Sequence, residues 1–152
     1  MNTSTTNNSI TIKMSLLGLA FAFFSILGFS QSNETGSISI VVTIDNVKNN
    51  AGKVLVSLHS KNTFMKGKGL QNAESKIVDG KVTVTFKDVV PGEYAIMTLH
   101  DENENNRMDF EDNGMPKESY GMSNNPMSYG PPQFTDAKFE VATEDLNLKI
   151  RF

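Results

Sequence analysis

Residues 101–112 read Asp-Glu-Asn-Glu-Asn-Asn-Arg-Met-Asp-Phe-Glu-Asp, with acidic or amide side chains at the first, third, fifth, ninth and twelfth positions. A calcium loop presents its oxygens in that order to a hard divalent cation. The pattern assigns side-chain oxygens to Asp101, Asn103, Asn105, Asp109 and Asp112, and the backbone carbonyl of Arg107 at position seven. Position six needs a left-handed backbone, for which Gly is usual; Asn106, the next most tolerant residue, stands there. Met108 can point inward and pin the loop. Asp112 is shorter than the Glu expected at position twelve, and Glu111 could substitute for it. Six of the twelve residues are acidic and Arg107 is the only base. Such crowding is repulsive unless a cation compensates. The alternative is an ordinary solvated turn, since Asn and Asp favour turns without metal.

Other chemistry in the chain is thinner. Four of the eight methionines, Met108, Met115, Met122 and Met127, follow closely on this loop. Thioethers with His100 could hold Cu(I), although their spacing is irregular and methionine commonly fills gaps under loops. His59 and His100 both end candidate strands. His100-Asp101 resembles a base with its orienting carboxylate, but no nucleophile, oxyanion hole or Gly-rich phosphate loop accompanies it. A non-enzymatic protein is therefore expected, with copper handling or a small enzyme using His100 as the alternative.

Composition narrows the setting. The formal net charge is −3 and no basic stripe is present, which argues against nucleic acid as a partner. There is no cysteine, hence no disulfide and no thiol for lipid attachment. Residues 1–13 are polar with one base, Lys13, and residues 14–29 form an almost unbroken apolar run. That run is short for a bilayer span, which takes about 20 residues, and has the length of a signal-peptide core. Gly28 and Ser30 put small residues at the −3 and −1 positions of a cut before Gln31. Residues 1–30 are thus expected to be a signal peptide, with an uncleaved anchor as the alternative. Losing Lys13 takes the net charge to −4. No membrane span is expected after cleavage, and the destination is the periplasm or the exterior.

The elements that must position the loop follow from period-two alternation. A mobile leader is expected over 31–36, then a single domain over 37–152. Strands are expected over 37–45 and 53–59, paired as a hairpin with a long turn. Residues 60–73 break the alternation and should form an irregular crossover or a single helical turn. Asp79-Gly80 reads as a two-residue hairpin turn within 76–87, because both turn positions need positive φ. Residues 93–100 continue as a strand, with Tyr94, Ile96 and Thr98 on one face and Ala95, Met97 and Leu99 on the other. Residues 137–142 and 145–152 complete about seven strands. The expected architecture is all-β: an immunoglobulin-like or transthyretin-like antiparallel β-sandwich, with a small barrel as the alternative. A long connection, 101–136, follows the fifth or sixth strand. Its later part is rich in Gly and Pro, yet Tyr120, Tyr129, Phe134 and the methionines are too apolar for water. An ordered lid is expected there.

These motifs together resemble a known family. His100-Asp-Glu-Asn-Glu-Asn, Gly114-Met-Pro-Lys-Glu-Ser-Tyr-Gly-Met-Ser-Asn-Asn, Gly130-Pro-Pro-Gln-Phe and Ala137-Lys-Phe are similar to the bacterial domain of unknown function 2141. Gly52-Lys-Val-Leu-Val and Pro91-Gly-Glu-Tyr-Ala also fit. The resemblance implies a small exported protein with a β-sandwich-like domain, and it supplies no catalytic residues. The usual loop of that family tends to carry Gly where Asn106 stands here. The expectation is a binding or structural module at the cell envelope, with a structural calcium loop and a protein or glycan partner.

Overall fold

The computed structural model describes Met1, residues 37–127 and residues 130–152. The expected signal peptide over 1–30, its cut before Gln31 and the leader over 31–36 lie outside the described residues, as does Tyr129 of the expected lid. Among the described residues no helix is long and apolar enough to cross a membrane.

Two sheets carry the fold. The first joins β1 (Ile38–Ile44), β4 (Val82–Val89) and β8 (Leu146–Ile150) in the order β4-β1-β8. The second is five-stranded. It runs β3-β2-β5-β6, from β2 (Lys53–His59), β3 (Gln71–Ser75), β5 (Gly92–Asp101) and β6 (Tyr120–Met122), and β7 (Phe139–Val141) also pairs with β5. One helical turn, α1 (Phe134–Ala137), precedes β7. The protein is an all-β, sandwich-like domain.

Alternation places the core where period two requires it. Ile40, Val42 and Ile44 of β1 are buried, as are Val54, Val56 and Leu58 of β2. They pack with Val82, Val84 and Phe86 of β4, Tyr94 and Ile96 of β5, and Ile150 of β8 in one hydrophobic cluster.

Three pairings differ from the sequence reading. β1 and β2 do not form a hairpin: β1 pairs with β4 and β8, while β2 pairs with β3 and β5. The eight-residue stretch between them, 45–52, crosses from one sheet to the other. Second, β1 and β8 run parallel, Ile40 opposite Leu146 and Ile44 opposite Ile150. Strands so distant in sequence are free of the antiparallel direction that a short turn imposes. Third, Asp79-Gly80 does make the turn, with φ of 51° and 69° and reciprocal bonds between Val78 and Lys81 of 3.0 and 2.9 Å. The segment before it is an isolated bridge rather than a strand, and the preceding strand, β3, belongs to the other sheet. β3 lies partly within the 60–73 stretch expected to be irregular.

Candidate functional site

The outer face of the five-stranded sheet, away from the core, carries three zones along β5. Outward residues of this strand are Asp101, Leu99, Met97 and Ala95 in turn. They face Lys53, Leu55, Ser57 and His59 of β2 across the ladder. Ala95 is covered: Phe64, Ala137 and Met122 bury it, with Met97 and Phe134 packed against them. Asp101 is covered by the polar loop that begins with it. Between them Leu99 and Met97 lie open.

The loop is held by side chains that take the place of a ladder. Asp101 is fully buried. Its Oδ1 accepts the backbone N–H of Asn105 at 3.0 Å and its Oδ2 that of Asn106 at 2.8 Å. Asn103 Oδ1 also accepts the Asn105 N–H, at 3.1 Å, and Asn105 Oδ1 accepts that of Arg107, at 2.9 Å. The Asn103 and Asn105 bonds are successive Asx turns, in which the side chain reaches the backbone two residues on, while Asp101 reaches four and five residues on. Asn106 has φ of 63°, as its position six required. The amides of Asn103 and Asn105 converge as donors on Asp109 Oδ2, at 2.6 and 2.9 Å. Arg107 Nε stands 3.7 Å from Asp109 Oδ1.

Asp101, Asn103, Asn105 and Asp109 are thus brought together, with the Arg107 backbone beside them. Asp112 is not. It stands exposed in the turn of a small hairpin, where Phe110 bridges Pro116 and the Glu111 N–H donates to Met115 O at 2.8 Å. Among the described residues no three His, Asp or Glu side chains cluster as a metal site would need.

A residue missed in the sequence closes the loop. Glu118 is buried, and its Oε1 accepts the Glu102 N–H at 3.0 Å while Oε2 accepts that of Asp109 at 3.2 Å. One carboxylate thereby clamps both ends of residues 102–109. Its neighbours hold the same register: Lys117 N–H donates to Asp109 O, and His100 N–H to Ser119 O, both at 2.9 Å. The loop base also depends on Gly52, whose φ is 66°. A Cβ there would come 2.0 Å from Asp101 O.

The open zone is an apolar groove of about 650 Å³. Its floor is Leu55, Ser57, Met97, Leu99 and Tyr120, contributed by adjacent strands. Met108, Phe110, Met115 and Pro116 of the long connection form one wall, with Met65 and Pro131 at other points of the lining. Polar side chains are few there: Ser57, Asn106 and the Tyr120 hydroxyl. Phe110 and Met115 are more than half exposed. A second recess of about 800 Å³ shares Leu55, Ser57, Asn106 and Met108 with the groove and continues to Lys68, Asn72, Glu74 and Arg107.

The family described as "Uncharacterized protein conserved in bacteria (DUF2141)" matches residues 42–149, from β1 to β8. The chain belongs to this family. No curated protein matches it. In this DUF2141 domain the match spans both the Asp101 loop and the groove.

The remaining candidates of the sequence are dispersed. His100 and Asp101 are adjacent in β5 and so point to opposite faces. His100 is fully buried on the core side, donates from Nε2 to Ala51 O at 2.8 Å and stacks on Phe152 with centroids 6.2 Å apart. Its Nδ1 has no hydrogen-bond partner and lies 3.8 Å from Glu102 Oε1. Asp101 turns instead to the loop amides. Met122 is buried under Ala95, and Met127 is fully exposed. His100, Met122 and Met127 therefore do not share a site. The methionines that do meet are Met65, Met97, Met108 and Met115, all lining the groove. His59 is buried against Phe64 and makes a 3.1 Å bond to Thr63 O. Burial lowers its pKa from 6.5, partly offset by that carbonyl.

Proposed function

We propose that this DUF2141 protein is an exported, non-enzymatic binding module of the bacterial cell envelope, and that its ligand surface is the groove over β2, β5 and β6. The groove itself carries this reading: an outward sheet face lined by methionine, leucine, proline and aromatic side chains, walled by a loop that its own hydrogen bonds hold in place. Unbranched, polarizable methionines adapt to apolar partners of varied shape. A glycan would need more polar groups than the lining supplies, so the envelope partner meets the groove through an apolar part. Export rests on the apolar run over 14–29 and the small residues before Gln31.

The Asp101 loop serves as the structural wall of the groove, and calcium is its proposed ligand. Asp101, Asn103, Asn105 and Asp109 would hold the ion with the Arg107 carbonyl, while Asp112 stays outside. The support is the order of oxygen-bearing side chains along residues 101–109 and the left-handed Asn106. The Asn103 and Asn105 amides now donate to Asp109, so ion binding would turn their oxygens inward in place of those N–H bonds. Bound there, the ion would neutralise the acidic crowding and fix the wall. With two carboxylates in the set, affinity should be in the modest range of extracellular modules, about 0.1–1 mM. A calcium concentration a hundredfold above Kd would add about 2.7 kcal/mol of stability. Thermal melts in calcium against chelator test this. The expected result is a Tm several degrees higher in calcium, a rise that Asp109→Ala abolishes; identical melts of the parent protein would remove the ion from the proposal.

A further inference from the structure

The groove and the recess beside it form one trough with unlike ends. At one end lie Met97, Leu99, Phe110, Met115 and Pro116; at the other stand Lys68 and Arg107. Leu55, Ser57, Asn106 and Met108 line both, so the two volumes join rather than lie back to back. From this we infer that the trough takes a free single-chain carboxylate, a fatty-acid-class amphiphile, with its tail over Met97 and Leu99 and its head at Lys68 and Arg107. This rests on the groove being the ligand surface.

Charge complementarity decides the occupant. The protein is acidic overall, yet the cations at this mouth are less committed than the acids beside them. Glu74, which also lines the recess, is bound by Lys53 at 2.7 Å. Asp109 is met by two amides. Lys68 makes no ion pair among the described residues, and the Arg107 side chain is three-quarters exposed with its single contact, to Asp109, at 3.7 Å. Exposed pairs of that length contribute little, so the guanidinium remains available to a carboxylate. Asn106 holds Arg107 at the rim, since its left-handed turn and the bond from Arg107 N–H to Asn105 Oδ1 fix the backbone there. The apolar volume suits an acyl tail: about 650 Å³ lies within the usual range of roughly 300–1,000 Å³ for small-molecule pockets. An uncharged chain would leave the mouth unused, and a cationic amphiphile would be repelled from it.

Calorimetric titration of the full chain with dodecanoate, dodecanol and dodecyltrimethylammonium, each below its micellar concentration, tests the inference. The expected order of affinity is dodecanoate, then dodecanol, then the cation. Lys68→Glu with Arg107→Glu should weaken dodecanoate on the order of tenfold, leave dodecanol within about twofold and strengthen the cation. Met115→Glu, an exposed wall substitution that leaves the core untouched, should weaken the uncharged probe. If all three bind alike and charge reversal changes nothing, the carboxylate assignment falls while the groove reading stands. If none binds, or if binding is untouched by Met115→Glu and by Leu99→Glu in a protein that still melts cooperatively, both fall.

Discussion

Glu118 joins chain segments that have no ladder between them, one oxygen on the Glu102 N–H and the other on the Asp109 N–H. Hydrogen bonds to a buried carboxylate stabilise more than neutral ones, and removing the acceptor strands two donors. Glu118→Ala should therefore lower stability by about 2 kcal/mol, a Tm fall of about 8 °C for a domain of this size, with Glu118→Gln retaining part of the loss because one acceptor oxygen remains. An unchanged melt would mean the clamp carries no stability. His59 supplies a second residue-level effect. Its folded pKa lies below the unfolded value of 6.5, so below that pH the unfolded chain binds the proton first. The contribution is complete above 6.5 and is lost as pH falls through the folded value. Stability measured by denaturant at stepped pH should drop below 6.5, and His59→Phe should flatten that drop; an unchanged slope in the variant would rule out His59 as its source. The polar turn built on Asp101, Asn103 and Asn105 was legible in the sequence because its bonds span two to five residues. Glu118 was not, because its partners lie nine and sixteen residues away across a connection whose course no local pattern sets.

Strands could be read from alternation, but their partners could not. β1, β2, β4, β5 and β8 are visible as period-two runs, and β7, itself three residues long, was read only as part of the longer run 137–142. Pairing depends on which sheet a connection enters, and residues 45–52 carry turn chemistry that serves a crossover as well as a hairpin. β3 escaped because Gln71-Asn-Ala-Glu-Ser, an edge strand, buries no large side chain. The long connection was recognised after β5, but β6 within it is three residues long and too short for a period. At the loop base, β2 and β5 meet so closely that Gly52 has no room for a side chain. Gly52→Ala adds a contact of 2.0 Å to backbone and a strained φ of 66°, and should cost about 3 kcal/mol or shift the register of Lys53 opposite Asp101. Hydrogen exchange should then show faster exchange across residues 101–109 than across β1 and β4. Equal exchange in both regions would mean Gly52 does not set the loop.

Across the described residues, the first sheet and the inner face of the second build the core, and the outer face of the second carries the groove. The long connection serves both ends of that face: α1 and Phe134 bury the Ala95 end, while residues 101–116 wall the middle. The sandwich class was legible because inner-face residues alternate strictly. The groove was not, because Leu55, Met97 and Leu99 come from different strands and become a surface only after pairing. The same holds for the four methionines, whose irregular spacing in sequence conceals a shared lining. Binding of the uncharged dye N-phenylnaphthylamine tests the groove most directly, since the chain has no Trp to interfere. Saturable fluorescence with one site per chain is predicted, weakened at least tenfold by Leu99→Glu in a protein whose Tm stays close to the parent's. No saturable binding, or equal binding by the folded variant, would contradict it.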